Sequence, residues 1–327
     1  MFYYVIRRIL LMVPTLVGIT IVVFAISRLA PGEAVGSIVG PGGQLDSVRA
    51  EDVVRARRQL YGLDKPIAVQ YLTWLGRVVC FDFGDSIKHN RPVVELIKQR
   101  LPVTLMLNLV SFAIVYIVAL PVGAFSAIRQ RGFFDRASSL LLLALWSLPI
   151  MWAGQMMIMY LPWFPRAGLS GNDAGVLAFF PWLLDRLQHM ILPVVCLSYP
   201  GFAYLSKQVR SGVLENLHHD YVRTARAKGL AERAVLIRHV FRNSLIPVVT
   251  ITARLLPAMI GGSVIVERIF SIPGMGLLAF EAVTTRDYNV VMAVATMAGL
   301  LNMAGVLLAD IAYAALDPRV SFEGGRV

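Results

Sequence analysis

Asp220-Tyr-Val-Arg-Thr-Ala-Arg-Ala-Lys-Gly229-Leu-Ala-Glu-Arg-Ala-Val-Leu-Ile-Arg-His239-Val-Phe-Arg-Asn243 is the only long, strongly polar stretch in the second half of an otherwise apolar chain. Together with the residues just before it, it gathers Lys207, Arg210, Arg223, Arg226, Lys228, Arg233, Arg238 and Arg242 against Glu215, Asp220 and Glu232. A solvated basic segment between two apolar runs belongs at a membrane surface, and its charge selects the inner one. Locally it reads as two short helices with a break. Asp220 caps or favours the first N-terminus, and Leu217, Tyr221, Ala225 and Lys228 recur at helical spacing. Gly229 is the stop, because it takes left-handed backbone without a Cβ clash. From about Ala231 a second helix carries Val235, Leu236, His239 and Val240 on one side, with Glu232, Arg233, Arg238 and Arg242 on the other. The small Ala225, Ala227 and Gly229 leave room for another protein's backbone. On these residues alone, a loop that merely satisfies the positive-inside rule fits equally well.

The rest of the composition agrees with a membrane setting. Of the 327 residues, 57% are hydrophobic, and the mean hydropathy of +0.66 is far above that of a soluble chain. Several runs approach the roughly 20 apolar residues that cross about 30 Å of hydrocarbon. The net charge of +11 follows from topology, since inner loops collect Lys and Arg. No aromatic-plus-basic constellation of a nucleic-acid site accompanies it. Cys80 and Cys196, the two cysteines, have no metal spacing and form no disulfide framework.

Taken in order, the chain reads as six spans. Arg7 and Arg8 precede an apolar run from Ile9 to about Ser27, with no small-x-small cleavage site after it, so it is an uncleaved first helix. Residues 31–100 hold ten bases and eight acids. A segment longer than about 60 residues largely escapes the positive-inside rule, and this one is placed outside. Within it, Tyr71, Trp74, Leu75 and Val78 mark the apolar face of a short helix. The second span runs from about Leu101, opened by Pro102, to Ile128, and the third from about Ser138 to Leu161 with a kink at Pro149. An external loop carrying Trp163, Phe179, Phe180 and Trp182 extends to about Leu187. The fourth span is about 188–206, the fifth about 245–266 and the sixth about 289–314. The inner segments then hold fifteen bases and the short outer loops four, namely Arg166, Arg186, Arg268 and Arg286, which puts both termini inside.

Catalytic motifs are missing. There is no Gly-x-x-x-x-Gly-Lys-Ser/Thr loop, so the chain itself is not expected to bind ATP. Nor is there a His-Glu-x-x-His or a Gly-x-Ser-x-Gly. His218 and His219 are adjacent, which on a helix points them about 100° apart and makes them poor metal co-ligands. Arg254 lies halfway along the fifth span, where a charge costs about 2.5–3.5 kcal/mol on insertion scales. It either faces the translocation path or serves a structural contact.

The run from Asp220 to Leu230, followed by His239-x-x-Arg242-Asn243 and Pro247, resembles the signature loop of ABC-importer permeases of the dipeptide/oligopeptide type. Arg223-Thr224-Ala225 stands where that superfamily carries Glu-Ala-Ala, Gly229 is kept, and Phe241-Arg242 replaces a later Leu-Pro. These departures look like the peptide branch. Pro31-Gly32-Glu33, Gly62 to Pro66, Phe81 to Ser86, Pro273-Gly274-x-Gly276 and Asp317-Pro318-Arg319 are similar to the same family's text. The resemblance implies an all-α polytopic protein of the bacterial inner membrane with the ABC type I importer fold. Residues 1–100 would form the first helix and external segment, 101–314 the transmembrane domain with its coupling loop at 207–243, and 315–327 an inner tail. It further implies that Asp220, Tyr221, Arg223, Thr224, Ala225, Ala227, Lys228, Gly229, His239 and Asn243 dock on a cytoplasmic ATPase subunit. The implied partners are two such ATPases holding ATP and Mg, a second homologous permease, an external peptide-binding protein and membrane lipid, with no cofactor in this chain. A stand-alone secondary transporter or channel is the rival, and against it stand the lack of an inverted repeat and of an intramembrane acidic cluster. A permease for another solute, such as a nickel chelate, is the alternative within the family.

Overall fold

The computed structural model describes residues 2–29, 65–171, 178–245, 248 and 263–316. Among them the secondary structure is helical, relieved only by turns and one isolated bridge between Asp85 and Pro92. The helices are α1 (Phe2–Leu29), α2 (Ile67–Val79), α3 (Val93–Ile128), α4 (Phe133–Ser147), α5 (Ile150–Tyr160), α6 (Phe179–Leu217), α7 (Asp220–Ala227) and α8 (Glu232–Ala234). A π-helical segment, Val235–Phe241, continues α8, and α9 (Val264–Ile269), α10 (Met275–Thr284) and α11 (Tyr288–Leu316) follow.

Four of these helices, α1, α3, α6 and α11, are long and apolar enough to cross a membrane, and the bent pair α4–α5 makes up to five. The expected fifth span falls almost entirely on residues outside the described ones, as does Arg254. Large apolar side chains on the outer faces, such as Leu10, Ile117 and Leu140, are well exposed, which lipid tolerates and water does not.

Several expected boundaries move. Pro102 does not open the second span, because α3 starts nine residues earlier, at Val93, on Pro92, Leu96 and Ile97. Phe179, Phe180 and Trp182 sit in the first turn of α6 rather than in a loop, and α6 passes unbroken through Pro193 and Pro200. Its flanks there are packed between buried Met190, Leu192, Val194 and Tyr199, and this tertiary packing outweighs the lost backbone bonds. At Pro149 the opposite happens, and the two halves of the third span diverge by 97°. Leu148 before the proline is extended, as pre-proline sterics require. Its carbonyl, freed by the break, accepts the Tyr199 hydroxyl at 2.7 Å.

The chain divides into two compact units. In the first, Met1–Pro102 with Met275–Met303, α2 lies on α1 through Phe24, Tyr71 and Trp74, whose rings are 5.4–6.2 Å apart. The anticipated apolar face of α2 is therefore the one in use. The turn before α3 is tied to the start of α11: buried Asp287 accepts from Ser86 Oγ at 2.6 Å and from the Lys88 amide at 3.2 Å. In the second, Val103–Gly274 with Ala304–Val327, one core surrounds Leu107, Cys196, Tyr199, Val266, Phe270 and Ile272. Glu267, buried in this unit, takes the Thr104 hydroxyl at 3.0 Å and lies directly over Gly274, leaving no space for a Cβ.

Gly123 is where α3 meets α6. A Cβ there would stand 2.5 Å from the Ser206 carbonyl and 2.8 Å from Val209 Cβ. Gly123→Ala should therefore cost about 1–3 kcal/mol through overpacking, seen as a lower midpoint of thermal unfolding in detergent. Gly76→Ala, whose Cβ meets nothing within 4 Å, should be neutral or stabilising by about 0.5–1 kcal/mol. Equal effects of the two would refute the close approach.

Candidate functional site

The polar stretch folds as a two-helix loop on the end of α6. Val222 and Ala225 of α7 are buried with Val209 and Val213 of α6, Val235 and Val240 of the π segment, and Val248. Each buried valine contributes about 1.5–3 kcal/mol relative to exposure, enough to fix the pose of an eight-residue helix that would not stand alone. The expected stripe is corrected here. Tyr221 and Lys228 are exposed, because α7 takes its register from Val222 and Ala225 rather than from Tyr221. The Tyr221 hydroxyl donates to Asn216 Oδ1, and its ring stacks on His219. Ala225 thus serves inward packing, while Ala227 and Gly229 present little bulk outward.

Capping follows the sequence reading at both ends, with Asp220 favouring the N-terminus from the first turn rather than from the N-cap. His219 occupies the N-cap without a side-chain bond, and Asp220 falls in the first turn, where its charge suits the helix dipole. At the C-terminus, the Leu230 amide donates to the Ala225 carbonyl at 3.4 Å and the Gly229 amide to Arg226 at 2.9 Å. With Gly229 at φ +76°, this is a Schellman stop. No atom lies within 4 Å of the place a Gly229 Cβ would take. Arg226 brackets the turn with two bonds to the Glu232 carboxylate, 3.0 and 2.6 Å, which hold that carboxyl below its usual range. Both groups are well exposed, so the pair aligns the turn more than it stabilises it.

The second helix of the loop is mostly π rather than α. In an α-helix residues five apart lie about 140° apart, so Val235 and Val240 would face different ways. The i→i+5 bonding of the π form widens the turn, and both valines are buried, at 0% and 1% exposure. Ser244 closes the segment, its hydroxyl donating to Gly212 on α6 at 3.0 Å and to Val240 at 2.8 Å. His239 is left half-buried and Asn243 exposed. The outward surface of the loop therefore carries Asp220, Tyr221, Arg223, Thr224, Arg226, Ala227, Lys228, Arg238, Arg242 and Asn243, around an open glycine turn.

One feature escaped the sequence reading. Asp135, in the first turn of α4, is 5% exposed and accepts Arg210 in two bonds of 2.7 and 2.9 Å. Ser126 at the end of α3 and the Arg131 amide complete its shell. The signal was present: a single acid among Arg129, Arg131 and Arg136, at the start of an apolar helix.

These features define a polytopic α-helical membrane protein with a preformed, basic, solvent-facing loop. Over residues 119–322 the chain matches the family described as the binding-protein-dependent transport system inner membrane component. Residues 1–108 match the corresponding N-terminal membrane component. The chain belongs to this family, whose transmembrane fold is the ABC type I fold, and which is a transport component rather than a catalytic one. Among its relatives is the oligopeptide transport system permease protein AppB of Bacillus subtilis, 40% identical over 324 residues, 98% of this chain and 99% of the relative. Another is a probable peptide ABC transporter permease of Sinorhizobium fredii, 33% identical, with 98% of this chain and 99% of the relative covered.

Gly229→Ala should raise the energy of the left-handed turn by about 1–2 kcal/mol. Faster amide exchange at residues 229 and 230 checks this, with exchange at Val213 unchanged. Undisturbed amides at 229–230 would contradict the Schellman assignment.

Proposed function

We propose that this chain is the membrane-spanning permease subunit of an ATP-driven importer that takes up peptides or peptide-like compounds delivered by an external binding protein. The single observation that carries the reading is the outward presentation of Ala227, Lys228 and Gly229. They stand at a capped, small-residue turn with open space outside, backed by valines buried against α6. Such a surface docks into a groove of a partner protein and passes the partner's displacement to α6. The charge asymmetry of the loops supports a cytoplasmic position for it, where ATPase subunits holding ATP and Mg would engage it. ATP binding then supplies the differential contacts that shift the permease between inward- and outward-facing states. Residues 1–100 contribute the first span and an external segment, 101–314 the transporting helices with the loop at 207–243, and 315–327 an inner tail. A second permease subunit completes the path. Peptides lead as substrate because full-length relatives are named for peptide transport.

Uptake of a labelled oligopeptide should vanish in cells lacking this chain and return with the wild-type gene. Ala227→Trp, which fills the open side of the turn, should cut that uptake by about tenfold, the effect of ~1.4 kcal/mol. Undiminished peptide uptake without the chain, or uptake of a nickel chelate in its place, would overturn the substrate reading. Full activity of Ala227→Trp would overturn the docking reading.

A further inference from the structure

We propose that Asp135 and Arg210 are positioning residues for transport, binding the ends of α3 and α4 to α6 so that displacement of the 220–243 loop moves all three helices as one body. The inference rests on the loop's being the coupling element, as proposed above.

The carboxylate of Asp135 is saturated. Oδ1 takes Arg210 Nε and Ser126 Oγ, and Oδ2 takes Arg210 Nη2 and the Arg131 amide. Three segments thus converge on one group: the last turn of α3, the 129–132 turn with Arg131 at φ +62°, and α6. An isolated buried ion pair is weak evidence for stability, since apolar residues of equal volume often serve as well. What a fully satisfied pair supplies is a fixed geometry. Nearby, Gly123 brings the α3 backbone against Ser206 and Val209 of α6, which leaves no room to slide. On the other side, Val209 and Val213, flanking Arg210 on α6, hold Val222 and Val235 of the loop. From loop to α4 the joints include buried valine contacts, the Ser244–Gly212 and Ser206–Ala119 hydrogen bonds and this bidentate pair. The pair is the charged joint between α4 and α6, and its loss would let α3 and α4 lag behind α6.

The test uses the complete complex in lipid vesicles with loaded binding protein. Asp135→Asn and Arg210→Gln should retain the ATPase subunits and basal ATP hydrolysis, while uptake per ATP hydrolysed falls about tenfold, within the usual range of coupling energies. Wild-type uptake per ATP in these variants, or a parallel loss of uptake and of bound ATPase, would overturn the proposal. A second measurement is independent of how the variants fold. Spin labels at Leu140→Cys on α4 and Ile237→Cys on the π segment, with Cys80→Ser, should keep one distance in nucleotide-free and ATP-trapped wild-type complexes. A change of that distance between states would overturn the rigid body. If the wild-type complex holds no ATPase, the coupling reading itself has failed, independently of the pair.

Discussion

Burial of valines across three segments is the constraint on which the polar loop depends. Val209 and Val213 on α6, Val222 on α7, and Val235 and Val240 on the π segment bury one another. Remove that shared core and α7 is an eight-residue peptide with cationic side chains, far below the length at which a helix persists in water. With it, the loop is a continuation of a membrane helix. The consequence for function is mechanical, because a force applied to the exposed face of α7 has a packed route into α6.

The second unit also shows how differently proline acts on neighbouring spans. At Pro149 the chain turns through 97°, and the carbonyl released is taken by Tyr199. At Pro193 and Pro200 the helix continues unbroken, held between buried side chains on either flank. A membrane interior requires each freed backbone group to find a partner within the protein. The Tyr199 hydroxyl meets that requirement at the break.

Much of this was legible in the residues, and the failures are informative. Gly229 was readable because a left-handed stop is a local demand that one residue type meets cheaply, and the signature around it pointed to the family before any contact was known. The face of α2 was readable because Tyr71, Trp74, Leu75 and Val78 recur at helical spacing. The face of α7 was misread, because over eight residues two competing stripes exist and only the valines of distant segments decide between them. The π form was unreadable for the same reason: the sequence put Val235 and Val240 on one side, but only their joint burial against distant segments calls for the wider turn. Asp135 and Arg210 are 75 positions apart, and no spacing rule links such a pair. Helix ends also moved: α3 starts at the fully buried Val93, where tertiary packing begins rather than where hydropathy rises, whereas α6 starts at the exposed Phe179, ahead of its packed part.

The central claim is that the 220–243 loop couples this chain to ATPase subunits. The most direct measurement is affinity purification of the tagged chain from native membranes in mild detergent, with mass spectrometry of the proteins retained. The account predicts a second, homologous permease and one or two ATP-binding cassette subunits. Recovery of the chain alone, or only with copies of itself, would contradict it.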